Sequence, residues 1–383
     1  MGRFVFEPAT DQHDAELRRL LAENEMEGDI RISFRREPSY FLASNLLGSF
    51  CQVVAARDTG SGKIIGVGTR SVRAGFINGK VESLGYLADL RLDPRYRGGP
   101  LVARAYRHLR ALHQDGRAKL YFTVIAEGNR LALETIASGR AGLPPYCDYG
   151  RLLSPAINLL RRKAPFVTDV QIRRGSRNQL SEIVHCLNRN HQRRQLAPYT
   201  TMDDFISSAD PSRENGEAGA SGAWLRDFRV EDFYVALRDH RVIGVLGKWD
   251  QNGYKQTVIT GYRGTLRFLR PLYNLGAALT GGASYPPPGR PLHSFYASFI
   301  AVDNDDVEVF RALLRQLYND QVGTSYHYFV LGLHEKDPLC AALLDYSLTS
   351  FAARLFLVHF DDGEELFKSL DAGRTPYIEA ALL

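Results

Sequence analysis

The residues best suited to chemistry lie together in one segment, residues 85–109, which reads GYLADLRLDPRYRGGPLVARAYRHL. A strand-like run ends at Asp93, a basic turn with Arg97, Gly98 and Gly99 follows, and an amphipathic helical pattern comes next. The N-terminus of a helix presents unpaired N–H groups and a partial positive charge, so it binds phosphate well. Glycines let the main chain approach an anion closely, and arginine adds charge-assisted hydrogen bonds. The segment therefore predicts a phosphate-binding cradle.

Candidates for proton transfer lie on both sides of this cradle in the sequence. Glu82 and Asp89 belong to the strand-like run before the turn, and Tyr146 and Tyr149 come after the next helical pattern. A carboxylate can remove a proton from an attacking group, and a phenol can donate one to a leaving group. Each also has a structural interpretation, because carboxylates are commonly solvated or ion-paired and tyrosines commonly pack half-buried. Both interpretations stay open from the sequence.

The elements that must position these residues follow from the apolar pattern, which predicts the order β-α-α-β-β-β-α-β-α in the first half. Asn78-Gly79 is a typical hairpin turn between two of the strands. An antiparallel meander that leads into a β-α crossover predicts an α/β fold with a mixed sheet and helices on both faces. The predicted strands are 3–7, 50–57, 63–73, 80–92 and 119–125, and the predicted helices are 14–25, 38–47, 101–114 and one from about residue 129.

The same order recurs in the second half of the chain. FCQVVAARDTGSGKIIGVGTRSV parallels DFYVALRDHRVIGVLGKWD, and a repeat unit of this length indicates domain duplication. The charged, proline-containing run LLRRKAP predicts the boundary, which gives domains 1–160 and 161–383. The predicted strands are 168–173, 232–239, 241–249, 293–302 and 327–333, and the predicted helices are 178–189, 306–320 and one from about residue 338.

The cradle segment resembles the signature of the GNAT acyltransferase superfamily, in which a strand runs into R-x-x-G-x-G/A and the loop holds the pyrophosphate of CoA. The resemblance covers most of residues 3–150 and implies two GNAT-like domains in tandem, the second degenerate. Each would be a mixed, mostly antiparallel sheet flanked by helices. The residues that the resemblance assigns to acyl-CoA binding are Leu90, Leu92, Arg97, Gly98, Gly99, Leu101, Val102 and Asn129.

Three positions depart from the family pattern. Pro100 and Val102 stand where the family usually has glycines, so we expect a cradle that is looser or shifted by one residue. Ile136 stands where a tyrosine often acts as the acid. The resemblance therefore leaves the two later tyrosines as candidate acids and the two strand carboxylates as candidate bases.

The second half lacks a comparable cradle. The equivalent turn is Asp303-Asn304-Asp305-Asp306, and its three carboxylates would repel a pyrophosphate. We therefore expect this half to shape the acceptor pocket and not to bind CoA in the usual way.

An inserted segment at 261–294 carries a helical apolar stripe from Leu266 to Leu279 with arginines around it, and Pro286 begins the run that ends it. The stripe fits a lid over a hydrophobic acceptor or a contact with an anionic membrane. It also fits a helix packed on the sheet with its arginines in solvent, which is the interpretation that the sequence favours.

Composition limits the classes of partner that the protein is expected to bind. A formal net charge of +5 suits anionic small molecules and permits weak contact with an anionic membrane, and we expect no nucleic-acid partner. The four cysteines are widely spaced without C-x-x-C, which predicts neither disulfides nor a zinc site. With no apolar leader and no long apolar run, we expect a cytoplasmic, metal-free protein. The oligomeric state stays open.

These expectations together point to an acyl-CoA-dependent N-acyltransferase. Acetyl-CoA or another acyl-CoA would be the co-substrate, and transfer would be direct, to an unidentified amine acceptor that is a small molecule or lipid-like. The alternative is a catalytically silent tandem GNAT-like protein that binds acyl-CoA, a lipid or a protein partner without turnover.

Overall fold

Antiparallel meanders alternate with β-α crossovers along the chain. The computed structural model describes residues 3–26, 30–97, 100–136, 143–206, 225–280 and 284–383, with the backbone alone for 277–280. In the first half the strands are β1 (Phe4–Pro8), β2 (Ile30–Arg35), β3 (Phe50–Asp58), β4 (Ile64–Ile77), β5 (Lys80–Leu92), β6 (Leu120–Ala126), β7 (Tyr146–Leu153) and β8 (Ala156–Asn158). The helices are α1 (Asp14–Glu23), α2 (Tyr40–Ser44), α3 (Leu101–His113) and α4 (Arg130–Ile136).

The second half repeats this order with an insertion. Its strands are β9 (Gln171–Arg174), β10 (Phe233–Arg238), β11 (Arg241–Trp249), β12 (Gln256–Tyr262), β13 (Pro291–Leu292), β14 (Ser294–Val302), β15 (Tyr328–Val330), β16 (Leu333–His334), β17 (Leu348–Thr349) and β18 (Ala352–His359). Its helices are α5 (Leu180–His191), α6 (Asp203–Ile206), α7 (Leu266–Thr280), α8 (Val307–Gln321) and α9 (Glu364–Lys368).

The strands form a first sheet, a second sheet and a bridging sheet. The first sheet has the order β1-β3-β4-β5-β6-β18-β7-β16, and the second has the order β17-β8-β15-β14-β11-β10-β9. The bridging sheet, β13-β12-β2, pairs a strand of the first half with strands of the second. β5 and β6 are parallel, as are β14 and β15, while the neighbouring pairs in the meanders are antiparallel. This arrangement confirms the predicted mixed α/β class.

The halves exchange strands: the first sheet contains β16 and β18 of the second half, and the second sheet contains β8 of the first half. β18 lies between β6 and β7 in the first sheet, and β8 lies between β15 and β17 in the second. The register pairs His359 of β18 with Leu120 of β6, and Ile157 of β8 with Phe329 of β15. The domain boundary at about residue 160 stays a prediction from the sequence repeat. In the structure, the exchanged strands join the two halves.

Helices cover both faces of each main sheet. Leu17 and Leu20 of α1 pack with Val53 of β3, while Leu101 of α3 packs with Ala56 of the same strand. An odd separation along a strand places two side chains on opposite faces, so α1 and α3 lie on opposite sides of the first sheet. In the second sheet, α5 and α8 pack in two separate apolar clusters. Neighbouring residues of β11 and β14 contribute to one cluster or the other, so the two helices lie on opposite faces.

The inserted helix departs from the interpretation that the sequence favours. α7 is confirmed as a helix, but the prediction that its apolar stripe packs on a sheet is wrong. The exposed fractions are 78% for Phe268, 53% for Leu269, 67% for Leu272 and 59% for Leu275. The side chain of Leu279 lies outside the described residues. Among the described helices, none is both long and apolar enough to cross a membrane.

Candidate functional site

A gap opens between the two parallel strands in the middle of the first sheet. The β5–β6 ladder joins Leu84–Tyr86 to Leu120–Phe122 and then stops, although β5 continues to Leu92 and β6 to Ala126. Just beyond the ladder, the Thr123 hydroxyl donates to the Leu87 carbonyl at 2.7 Å. Beyond Tyr86 this edge of β5 therefore has no partner strand within the described chain. Such an edge can hydrogen-bond an extended ligand.

A bulge in β5 produces this gap. The β4–β5 register shifts between Val67 and Thr69, which pair with Arg91 and Ala88. Asp89 lies within the bulge, with φ at +54°. A non-glycine residue in this left-handed region is disfavoured, and such strain concentrates at functional sites because surrounding contacts must hold it. The bulge bends β5 away from β6.

The predicted cradle follows directly after β5. The Asp93 side chain accepts from the Arg95 N–H at 3.0 Å and fixes the turn, and Arg97 then lies exposed with its guanidinium 2.5 Å from the Asn24 side-chain oxygen. Pro100 is the N-cap of α3, and its carbonyl accepts from the Arg104 N–H at 3.1 Å. The first turn of α3 carries no acidic residue, so its positive end is not neutralised there. The two glycines of the cradle, Gly98 and Gly99, lie outside the described residues.

The cradle rests on apolar packing. Leu101 is buried and packs with the half-buried Leu92, while Leu90 and Val102 pack around Tyr106 of α3. The Val102 side chain therefore belongs to the cluster beneath the helix end. Val102, which stands where the family pattern usually has a glycine, therefore has a packing role.

A buried polar centre surrounds Asp89. Its carboxylate accepts from the Arg36 guanidinium at 2.7 Å and from the Tyr40 hydroxyl at 3.3 Å. The side chains of Arg36 and Asp89 are 8% and 12% exposed. Burial alone would raise the pKa of Asp89, but the positive charges of Arg36, Arg91 and Lys255 hold it below its ordinary value. Asp89 is therefore ionised at neutral pH and is a weak base.

Lys255 lies directly before β12, beside the same centre. Its amine donates to the main-chain oxygens of Ala381 at 2.9 Å and Leu383 at 3.1 Å. Burial and the positive charge of Arg36 lower the pKa of Lys255 to about 7, against the opposing effect of Asp89. A neutral lysine amine has two N–H groups and one lone pair, so these two bonds leave the lone pair available to accept a proton. A pKa near neutrality suits general acid–base work.

Comparison with solved structures identifies the architecture. N-myristoyltransferase from Saccharomyces cerevisiae with bound myristoyl-CoA superposes with a TM-score of 0.59 at 11% identity, over 94% of this chain and 83% of that one. A GCN5-related N-acetyltransferase from Sphaerobacter thermophilus gives 0.54 at 11% identity, over 94% and 96% of the two chains. A GCN5-related glucosamine N-acetyltransferase region of a fungal β-N-acetylglucosaminidase gives 0.60 at 13%, over 92% and 38%.

The chain has a tandem GNAT-like fold. The predicted fold is thereby confirmed. No protein-family model and no curated protein sequence matches the chain.

The second GNAT-like half contains the same gap, but the chain itself fills it. The β14–β15 ladder covers Ser294–Tyr296 only, and Phe299 lies in a bulge with φ at +53°. There the Phe299 N–H donates to the Glu379 carboxylate at 2.6 Å, and the Ile300 N–H donates to the Tyr377 hydroxyl at 3.0 Å. Main-chain donors that could meet a ligand in this half therefore already have partners.

The acidic turn of the second half is neutralised within the protein. Asp303 pairs with Arg189 at 2.8 Å, and Asp305 pairs with Arg194 at 2.6 Å. Asp306 caps α8 by accepting from the Glu308 N–H at 3.0 Å. All three carboxylates therefore have partners within the protein. The equivalent turn of the first half is basic and carries the exposed Arg97.

Tyr146 is the candidate acid that lies nearest the cradle cluster. It packs in the same cluster as Leu90, Val102 and Ile136, and its hydroxyl hydrogen-bonds that of Tyr106. Burial raises the pKa of Tyr146 well above its ordinary value, so the phenol stays protonated. The side chain thus reaches the region where the family tyrosine would lie, from β7 and not from α4.

The other predicted residues lie elsewhere or have structural roles. Glu82 is exposed near the start of β5, roughly 23 Å from Asp89 at 3.3 Å per residue. Tyr149 packs in a different apolar cluster, and its carbonyl bonds the His334 ring at 3.0 Å. Asn129 is the residue before α4, and its side-chain oxygen accepts from the Ala132 N–H at 3.2 Å. Among the described residues, no group of His, Cys, Asp and Glu side chains is arranged to hold a metal ion.

Arg36, Tyr40 and Lys255 are not among the site residues predicted from the sequence. Arg36 directly follows β2 and Lys255 directly precedes β12, and these two strands pair antiparallel between the halves. β2 reads IRISFR, an apolar–polar alternation that is a local strand signal, whereas β12 reads QTVITGY and does not alternate. Nothing local in the sequence indicates that these two strands pair. Tyr40 has a local signal, because Ser39 before it is a helix N-cap residue.

The ion pair between Arg36 and Asp89 should contribute to the stability of the fold. Replacing Asp89 with Asn leaves the buried Arg36 charge unpaired, so the free energy of unfolding at neutral pH should fall by about 3–5 kcal/mol. Because the Asp89 pKa is lowered in the folded state, its contribution is present above the ordinary carboxyl pKa and is lost as the pH falls through the lowered value. Urea unfolding of both proteins across the acid range measures the difference. The exposed Glu82→Gln variant should change stability by less than about 0.5 kcal/mol. Equal stability of Asp89→Asn and the unmodified protein at neutral pH would contradict the ion pair.

Proposed function

We propose that this protein is an acyl-CoA-dependent N-acyltransferase that transfers an acetyl or longer acyl group directly to an amine acceptor. The observation that carries the proposal is the gap between β5 and β6, which ends at the basic turn before α3 and has the polar centre of Asp89 at its bulge. The similarity to acyltransferase structures supports the reaction class. The acceptor, a small molecule or a lipid-like amine, would enter between the halves.

The geometry supports one placement of acyl-CoA. The pyrophosphate would meet the N-terminus of α3 and Arg97, where N–H groups and positive charge are available. The extended pantetheine would follow the free edge of β5, above the apolar cluster that contains Leu90 and Val102. The thioester would then lie near Asp89. Gly98, Gly99 and Asn129 stay proposed contacts of the same ligand.

Proton transfer can be assigned to groups around the gap. The ionised Asp89 would attract the ammonium form of the acceptor, and the neutral amine of Lys255 would take one proton from it to give the amine that attacks. The acceptor nitrogen would lose its second proton to solvent once it is bonded to the acyl carbon. As the C–N bond forms, the C–S bond breaks, and the hydroxyl of Tyr146 would protonate the leaving thiolate. Solvent then restores Lys255 and Tyr146 to their starting states. Direct transfer of this kind needs no covalent enzyme intermediate.

A second candidate is a catalytically silent protein that binds acyl-CoA, a lipid or a protein partner. Two observations favour it: Asp89 already has Arg36 as a partner, and the Asn129 oxygen already caps α4. Calorimetry with acetyl-CoA and a longer acyl-CoA reports binding, and thiol release with a broad panel of amines reports turnover. Binding without thiol release would support the silent protein.

The cradle makes a binding prediction. Arg97→Glu removes a charge-assisted bond and adds repulsion, so CoA affinity should fall by about 2–3 kcal/mol, or roughly 30–150-fold. Isothermal titration with CoA measures this change. Arg161→Glu applies the same charge change to an exposed residue beyond β8, and it should leave affinity unchanged. An unchanged affinity in Arg97→Glu would remove the cradle from the proposal.

Lys255 makes a kinetic prediction. If its neutral amine is the base, the turnover rate should fall as the pH drops below about 7, and Lys255→Met should lower kcat by about 100-fold or more while CoA binding persists. The pH–rate profile with acetyl-CoA and a reactive amine tests both points. Lys248→Met is the matched control, because Lys248 is also half-buried but lies on β11 against Phe295 and Tyr326. A Lys255→Met enzyme with an unaltered rate and profile would exclude this base.

A further inference from the structure

α7 presents a continuous apolar face to solvent. Phe268, Leu272 and Leu275 follow the i, i+4, i+7 spacing and are exposed, and Leu269 lies beside them at the edge. We call these four residues the α7 apolar face. Large exposed apolar areas on one side of a helix are uncommon on free surfaces and mark contact sites.

The opposite side of α7 holds the helix in place. The Asn274 side chain exchanges hydrogen bonds of 2.9 and 2.8 Å with the Tyr285 carbonyl and N–H. Arg270 donates to the Pro286 carbonyl at 3.3 Å, and the rings of Tyr273 and Tyr285 lie 4.6 Å apart. The helix is therefore fixed along one side, so its apolar face is presented outward and does not fold back on the protein.

Positive charge surrounds the apolar face. Residues 251–302 contain neither Asp nor Glu, and Arg263, Arg267 and Arg290 are exposed. Arg31 of β2 joins Arg263 and Arg267 in lining an open groove of about 760 Å³ beside Phe268. An apolar face next to a groove lined with arginines matches the acyl chains and phosphate headgroups of an anionic lipid layer.

We propose that α7 docks this protein on the surface of an anionic lipid bilayer. The α7 apolar face enters the acyl-chain boundary, and the arginines meet lipid phosphates at the headgroup level. The charge pattern favours a bilayer over a second copy of the chain as the partner. In a dimer formed through α7, the arginines of the two copies would lie close together and repel each other. The helix lies in the interface and does not cross it.

Strand β12 links the α7 apolar face to the polar centre around Asp89. β12 begins just after Lys255 and ends at Tyr262, just before α7, so Lys255 and the start of α7 flank opposite ends of one strand. Lys255 and Tyr262 lie roughly 23 Å apart at 3.3 Å per residue. The docking proposal does not depend on acyl transfer, because the groups that it uses are separate from the cradle and from Asp89.

Vesicle co-sedimentation of the full chain tests the proposal. The protein should pellet with phosphatidylcholine–phosphatidylserine vesicles at low salt and stay in the supernatant with phosphatidylcholine alone or at high salt. The double variants Phe268→Ser/Leu272→Ser and Arg263→Glu/Arg267→Glu should each lower the partition coefficient about tenfold or more. CoA binding should be unchanged in both variants, which separates this test from that of the proposed function.

Controls distinguish docking from general stickiness. Leu344→Ser and Arg161→Glu alter an exposed leucine and an exposed arginine elsewhere, and both should leave vesicle binding unchanged. In a Phe268→Trp variant, the added tryptophan emission should shift to the blue on anionic vesicles, because the ring enters an apolar layer. The proposal is overturned if the protein stays in the supernatant with anionic vesicles at low salt. It is also overturned if sedimentation without lipid reveals a dimer that Phe268→Ser/Leu272→Ser dissociates.

Discussion

The buried ion pair between Arg36 and Asp89 joins the parts of the molecule on which the candidate site depends. Asp89 lies in the bulge that bends β5 away from β6, and Arg36 follows β2, which pairs with β12 of the second half. Opposite charges in a buried setting interact strongly, and losing one partner is costly because the other is left without compensation. The same contact therefore holds a strained residue in place, keeps the gap open, and fastens the second half where Lys255 enters the centre.

The two halves share one architecture but differ in what lies at the end of the short parallel ladder. Both contain a short parallel ladder and a bulge with a non-glycine residue at positive φ. In the second half, Tyr377 and Glu379 satisfy the main-chain donors at the bulge. The acidic turn alone would weaken anion binding, but filled hydrogen-bonding positions are a stronger reason, since a ligand would have to displace the chain. The exchange of β8 and β18 then makes each sheet depend on the other half.

Local signals explain what the sequence could predict. The meander, the Asn78-Gly79 turn, the basic turn with Arg97 and the helix that follows are short-range patterns, and the structure contains them within a few residues of the predicted bounds. The exchanged strands and the approach of Lys255 to Asp89 depend on long-range pairing, which leaves no local trace. The exposure of α7 also could not be read from its pattern, because an apolar stripe fits a buried face and an exposed one equally well.

We propose that acyl-CoA binds in the first half alone, along β5 and at the start of α3. A crystal structure of the protein with bound CoA tests it most directly. We expect one CoA per chain, with its pyrophosphate at the N-terminus of α3 beside Arg97 and its pantetheine against the edge of β5 beyond Tyr86. A CoA molecule found between β14 and β15, with Tyr377 and Glu379 displaced, would contradict it.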